Sequence, residues 1–511
     1  MKKTLALAMA LILCLGLLPA ALAEAKEPVT IVYAYNGNGI QNDTALVNEA
    51  MNEWLHSHEG YEHLSIELVP CGGSGNSLAT EITLRQASGE QLDMCNSYGI
   101  SLGDYVADGY VTPMDELIKN TDIPAELPEW LLQLGSYNGV QYFVPNFQNP
   151  ANVRVVAIPS EYLQYFEGGA EKIRDIFRNP EATPADKMAV MKELVLAVRQ
   201  GTGKDTKWAP ASIYPHEWKA WEGLLSHWII VEENTAEAVC TWKQDWYKDV
   251  LRTVAEWYDD GIVHPDCATY TASDYGNANS LNDEALVFWY GNAMVQTPDE
   301  LLANGIDTYM SGDVELTRIA IRDHYFTTAS WAAGGNWITA TCKQPEEAMK
   351  IIELLNTKKG TEFFNLLVYG IEDRQYTKND DGTIYTLEYN GMQGGSGTSY
   401  MTPGWGVGNT MNQYHNQGFN ANYNELCYEI GTSDKTTHSK IAGLLFDNTA
   451  VQDEIAQINA VIAEYSGALM NGIKGRDGWE AYYEEFLQKL EVAGLQKVLD
   501  HMNAQIQDFL K

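Results

Sequence analysis

Between Val29 and Asn96 the apolar residues switch repeatedly from a period of two to a helical period, and this alternation restricts the folds open to the chain. Val29 to Tyr35 is a β-branched and aromatic run that ends in Asn36-Gly37-Asn38-Gly39. Leu46, Val47, Ala50, Met51, Trp54 and Leu55 then recur at helical spacing. Leu64, Ile66 and Leu68 alternate as a second strand, Gly72-Gly73-Ser74-Gly75 turns the chain, and a helix from Leu78 stops at Gly89 before a third strand, Leu92 to Asn96. Strands and helices in this order predict an α/β fold with a mostly parallel sheet covered by helices, and a ligand crevice beyond the carboxyl ends of the strands. The loops at Tyr35 and at Tyr98 fall there.

The first 23 residues read as a secretion signal: Lys2 and Lys3, an apolar stretch from Leu5 to Leu18, and Ala21-Leu22-Ala23 as the cleavage site. The stretch is shorter than the roughly 20 residues that span hydrocarbon. Cys14 follows bulky residues rather than the small ones that precede a lipid-attachment cysteine. The signal predicts an exported chain, in the periplasm or on the outer face of the cytoplasmic membrane or cell wall, with a lipid anchor as the lesser alternative. The formal charge of −36 repels phosphate backbones and anionic headgroups, so nucleic acid is not an expected partner. Six further cysteines lie far apart with no Cys-x-x-Cys pair, which argues against a zinc ribbon and leaves two readings, buried free thiols or disulfides in any of fifteen full pairings.

Further along, Tyr142 to Val144 and Val153 to Ile158 are strand-like segments flanking Pro145-Asn146-Phe147-Gln148-Asn149-Pro150, and they read as a crossing between two lobes. Ile173 to Asp266 reads as helical with Trp-rich connections, and Glu284 to Tyr290 as a strand ending on Trp289 and Tyr290. Pro345 opens a helix with Ala348, Ile351, Ile352 and Leu355 inward and Gly360 as its stop. Asn379 to Gly382 is an incomplete calcium loop and reads as a hairpin turn. His56, His58 and His63 lack a metal-ligand spacing and read as a solvated helix end. Val451, Ile455, Ile458, Ile462, Tyr465 and Leu469 step by three and four, as do Leu495, Val498, Met502, Ile506 and Phe509, so the tail is helical.

The order of segments resembles the family 1 extracellular solute-binding proteins of bacterial ABC importers, over almost the whole chain after the signal. Tyr105-Val106-Ala107-Asp108-Gly109-Tyr110-Val111-Thr112-Pro113-Met114-Asp115-Glu116-Leu117 is similar to a family stretch, as are Asn138 to Pro145 and Trp257 to Asp266. The most specific runs are Asn336-Trp337-Ile338 through Pro345 to Glu372, and Pro403-Gly404-Trp405-Gly406-Val407-Gly408-Asn409. These look like the lipoprotein-type branch with its own helical C-terminal domain, residues 446–511 here. Two departures are the missing lipid-attachment motif and Arg374-Gln375-Tyr376 in place of a Lys-His-Tyr-like run. The resemblance implies a two-lobed (type II) clamp with discontinuous lobes: residues 28–148 and 335–400 as one, 149–334 and 401–511 as the other. It also implies a monomer that closes on a solute and delivers it to permease subunits, without chemistry or cofactor.

Oligosaccharides are the solutes the resemblance implies most often, and 29 Tyr, 14 Trp and 12 Phe fit that independently. A pyranose offers a face of C–H groups and a rim of hydroxyls, so a site for it combines flat aromatic plates with Asp, Glu, Asn or Arg at the edge. Loop position selects Tyr35, Asn36, Ser97, Tyr98, Asn146, Phe147 and Glu372 on one side, and Trp218, Trp289, Tyr290, Trp331 and Trp405 on the other. A tryptophan beside an apolar strand serves equally well as core, so each is a candidate only. Two other functions remain open: a peptide or amino-acid binder on the same clamp, with a cleft Arg or Asp meeting the termini, and a secreted glycoside hydrolase with two carboxylates about 5 to 10 Å apart. Neither a Gly-x-Ser-x-Gly elbow nor a His-Glu-x-x-His helix is present.

Overall fold

The computed structural model describes residues 26–72, 77–148, 153–209, 221–225, 228–232, 235–267, 285–287, 289–293, 304–311, 314–321, 325–326, 334–388, 399–417, 423–431 and 437–511. The expected export signal, Trp218 and Trp331 lie outside these residues.

The predicted alternation forms β1 (Val29–Asn36), α1 (Thr44–Ser57), β2 (Leu64–Cys71), α2 (Leu78–Ser88) and β3 (Met94–Asn96), followed by the short α3 (Leu102–Ala107). The chain leaves this body after β4 (Val144–Pro145) and enters a second sheet with β5 (Val153–Pro159). That sheet is completed by β6 (Trp289–Ala293), β7 (Ile306–Ser311) and β8 (Val314–Ala320), and the chain returns on β9 (Gly335–Ile338). The first sheet has the order β2-β1-β3-β9-β4. Its β1, β2 and β3 are parallel, with Tyr33 opposite Met94 and Asn36 opposite Cys71, whereas β9 runs antiparallel to both neighbours. The second sheet, β6-β5-β8-β7, is antiparallel throughout, so the mostly parallel pattern expected from the N-terminal region stops at β3.

Burial on both faces explains the apolar continuity of β1. Ile31, Tyr33 and Tyr35 point into one core with Val47, Met51 and Leu55 of α1, while Val32 and Ala34 point into another with Leu78 and Ile82 of α2. Helix α2 is closed by Ser77, whose hydroxyl accepts from Thr80 N, and by Gly89 at φ 71°.

The second lobe packs its sheet on α4 (Pro184–Thr202) and α5 (Asp245–Asp259), through Met191, Leu194, Val195 and Val254. A reciprocal Thr183–Asp186 capping box starts α4. Between α4 and α5 the expected helical pattern is replaced by an antiparallel sheet of Trp221–Leu224, Ile229–Glu232 and Ala238–Cys240. Ile229, Ile230 and Val231 are β-branched and nearly fully buried, and that favours a strand over a helix there.

Helices α6 (Pro345–Asn356) and α7 (Thr361–Tyr369) cover the first sheet, with Ala348, Ile351, Ile352 and Leu355 inward; α6 ends at Asn356, before the expected stop at Gly360. Residues 376–378 and 384–386 form the hairpin around Gly382. Residues 401–417, expected in the second lobe, pack on the first: Val407 joins its core, Thr402 N donates to Val368 O and Asn409 N to Leu355 O. The tail folds as α8 (Gln452–Met470), α9 (Gly475–Val492) and α10 (Leu495–Phe509), which share a core with Trp228, Trp242, Tyr247 and Leu251. Tyr483 Oη donates to Trp242 O at 2.6 Å, and Ala238 exchanges hydrogen bonds with the Asn503 amide. Cys71, Cys95 and Cys240 are buried thiols, and burial pushes those of Cys71 and Cys240 up to about 11.

Candidate ligand site at the carboxyl ends of β1 and β3

Cores cover both faces of β1 from Ile31 to Tyr35, so only its last residue, at the carboxyl end, can reach the crevice without joining one of them. That residue is Asn36, and its Nδ2 donates to Tyr98 O at 2.8 Å. Tyr98 follows β3, is 37% exposed, and meets Trp405 edge to face with ring centroids 4.5 Å apart at 90°. Trp405 is half-buried in a single helical turn, Gly404–Val407. Two candidates from distant parts of the chain therefore stand together as an accessible ring pair. Gly99, at φ 78°, lies against the Asn36 amide, where a Cβ would collide.

Beneath the ring pair is a cluster of buried amides. Asn96 Nδ2 donates to Gly406 O at 2.9 Å, and Asn146 Nδ2 donates to the same oxygen at 2.7 Å. Asn336 Nδ2 donates to Val407 O at 2.8 Å, while its Oδ1 accepts from Tyr33 Oη at 2.7 Å. All three asparagines are 0% exposed. They satisfy the carbonyls of the Trp405 turn inside the protein, and so fix the indole relative to the sheet. Ser97 ties β3 to β9 by two hydrogen bonds with Gly335, each 2.8 Å.

The loop after β1 is held as firmly. Asn38 Nδ2 and Gln41 Nε2 donate to Met401 O, and Met401 N donates to Gln41 Oε1. Behind them the Asp43 carboxylate, 5% exposed, accepts from Arg374 Nε and Nη2 at 2.8 Å each and from Gln375 Nε2 at 2.7 Å. The departure at Arg374-Gln375 is thus a structural anchor for this loop. Hydrogen bonding from Arg374 holds the Asp43 carboxyl below the usual carboxylate range. A lowered folded-state pKa gives stability that is present above the unfolded value of about 4 and is lost as the pH falls through the folded one. Arg374 is 52% exposed, so solvent tempers the pair. Asp43→Asn is expected to cost about 1 to 2 kcal/mol at pH 7, and the gap from the native protein should narrow below about pH 4 in urea unfolding. A gap independent of pH would contradict this role.

The remaining candidates are placed differently. Tyr35 is 0% exposed and Phe147 4%, and both lie in the first core. Asn146 and Ser97 serve the scaffold. None of these four presents a free face here, because strand alternation or the β9 pairing turns it inward. Glu372 pairs with Lys378 Nζ at 3.1 Å beside the hairpin. Trp289 and Tyr290 open β6 opposite Ala157 and Val156 rather than ending a strand, and their side chains lie outside the described residues. Asn96 and Asn336 were not selected from the sequence. The available signal was a polar amide bordering an apolar strand, at Met94-Cys95-Asn96 and Asn336-Trp337-Ile338.

The two α/β bodies are similar in fold to solved structures of solute-binding proteins. The chain is 25% identical over 293 residues to a carbohydrate ABC transporter substrate-binding protein of Streptococcus pneumoniae serotype 4; the match covers 55% of this chain and about half (54%) of that relative. In three dimensions it is similar to the N-glycan transport solute binding protein NgtS of S. pneumoniae, with a TM-score of 0.69 and 19% identity over 95% of this chain and 99% of that one. NgtS in complex with Man5GlcNAc gives 0.64 at 18% identity, covering 95% of this chain and 99% of that one. S. pneumoniae FusA in complex with kestose gives 0.56 at 13%, covering 94% and 99%. Residues 440–511 match a domain of unknown function, DUF3502. Among the described residues no helix is long and apolar enough to cross a membrane.

Proposed function

We propose that this chain is the exported, substrate-binding component of a carbohydrate ABC importer. It binds a neutral oligosaccharide between its lobes and presents it, chemically unchanged, to membrane permease subunits. The observation that carries this reading is the Tyr98–Trp405 pair at the carboxyl ends of the first sheet, held by buried asparagines. An indole supplies the flat apolar plate that the C–H face of a pyranose covers, and Asn36 stands at its border with amide groups suited to hydroxyls. Trp289 and Tyr290, on the edge strand of the second sheet, are the candidates to meet the same sugar from the other lobe. Contacts made from both lobes are complete only when they approach, and this couples binding to closure. The carbohydrate named for the S. pneumoniae relative and the glycans bound by NgtS and FusA support a sugar as the solute.

Titration of tryptophan fluorescence with Man5GlcNAc, kestose, maltopentaose and a set of short peptides tests this reading. Saturable change with an oligosaccharide, and recovery of that oligosaccharide intact, is the expected result. Binding of peptides alone, or cleavage of the glycan, would overturn it.

A further inference from the structure

The segment joining the first lobe to the C-terminal helices touches different bodies with successive residues. Ala442 packs on the first core and Leu445 on the core behind β1, whereas Leu444 and Phe446 pack on the core of α8, α9 and α10. The next two residues repeat the division with hydrogen bonds. Asp447 N donates to Gln505 Oε1 at 2.8 Å, and Asp447 O accepts from Gln505 Nε2 at 2.9 Å and lies 2.6 Å from His501 Nε2, all on α10. Asn448 N donates to Asp104 Oδ1 at 2.9 Å, and its Nδ2 reaches Ser101 Oγ at 3.4 Å, both at the start of α3. Gly103, between them, lies flat against the Phe446 carbonyl, and a Cβ there would overlap that oxygen. Helix α3 begins four residues after Tyr98, and Ile100 N donates back to Ser97 O at 3.3 Å.

From this continuity we propose that the C-terminal domain, residues 440–511, braces the ligand site: its 446–449 strap clamps the start of α3 and thereby holds the Tyr98 loop in the position that supports Trp405. Gly103, Asp104 and Asn448 are positioning residues for Tyr98, and the domain of unknown function acquires an intramolecular role in binding. A short helix such as α3 is marginal alone, so its order depends on such contacts. Loosening it adds an ordering cost to binding.

The inference rests on the sugar-binding reading for its affinity arm, but its first test needs no ligand. Gly103→Ala places the better helix former in α3, so an isolated helix would gain order; the strap predicts the reverse. In amide hydrogen exchange of the full chain, Gly103→Ala and Asp104→Ala should each raise exchange of residues 99–107 about tenfold, with α8, α9 and α10 unchanged. Asp104→Asn keeps the acceptor for Asn448 N and should restore protection. Unchanged exchange in residues 99–107, or loss of protection throughout α8 to α10, would overturn the brace. Calorimetry with Man5GlcNAc, kestose and maltopentaose then separates the two claims. The alanine variants should weaken binding about fivefold to tenfold, and Gly103→Ala should add no further loss in a Tyr98→Ala background. Additive losses would refute action through Tyr98. A native protein that binds none of these glycans would instead refute the sugar-binding reading, leaving the exchange result to judge the brace.

Discussion

Trp405→Ala should weaken oligosaccharide binding about 30-fold, measured by calorimetry, and leave thermal unfolding nearly unchanged. A pyranose stacked on the indole removes roughly 80 Å² of apolar surface from water, worth about 2 kcal/mol at ~25 cal/mol/Å², and each 1.4 kcal/mol is tenfold in affinity. The ring is only half-buried, and the turn that carries it is held by its own backbone carbonyls, so removing the side chain leaves those hydrogen bonds in place. Trp405→Phe should recover part of the loss, because a smaller ring retains part of the plate. A fall in stability without a change in affinity would assign Trp405 to packing.

Asn336→Ala should have the opposite profile, with stability affected first. The substitution strips Tyr33 Oη of its acceptor, Val407 O of its donor and Asn146 of a 3.3 Å contact, all in fully buried surroundings. Each orphaned buried group costs about 1 to 3 kcal/mol, so a loss near 3 kcal/mol is expected from urea unfolding. The Trp405 turn would be freed on one side, and affinity should fall about tenfold as well, through the cost of re-ordering it on binding. Wild-type stability in this variant would mean that the amides do not hold the turn.

The fold was legible where periodicity was strong. β1 to β3 and their helices, the helix from Pro345, the hairpin around Gly382 and the C-terminal helices all follow from apolar spacing and terminal residues. It was not legible between α4 and α5, where Trp-rich connections hid a small antiparallel sheet. Nor was it legible in 401–417, whose return to the first core depends on contacts with Val368 and Leu355 that no local pattern encodes. For the site, loop position found Asn36, Tyr98 and Trp405 but could not separate a ring at the surface from one in the core. Tyr35 precedes Asn36 by one residue, yet Tyr35 packs in the first core while Asn36, on the face of Val32 and Ala34, lies past the end of the core that buries them. Of the supporting asparagines, loop position had selected Asn146 alone, as a ligand contact rather than a support; Asn96 and Asn336 lie beside different apolar strands, and the common target of all three, the Trp405 turn, is more than 60 residues from the nearest of them.

The most direct measurement is a crystal structure of the protein with the tightest-binding neutral oligosaccharide from the fluorescence panel. A pyranose face lying on the Trp405 indole beside Tyr98, with hydroxyls near Asn36 and groups of the second lobe closing over it, is the predicted result. A glycan bound elsewhere, with Trp405 and Tyr98 left in solvent, would contradict the account.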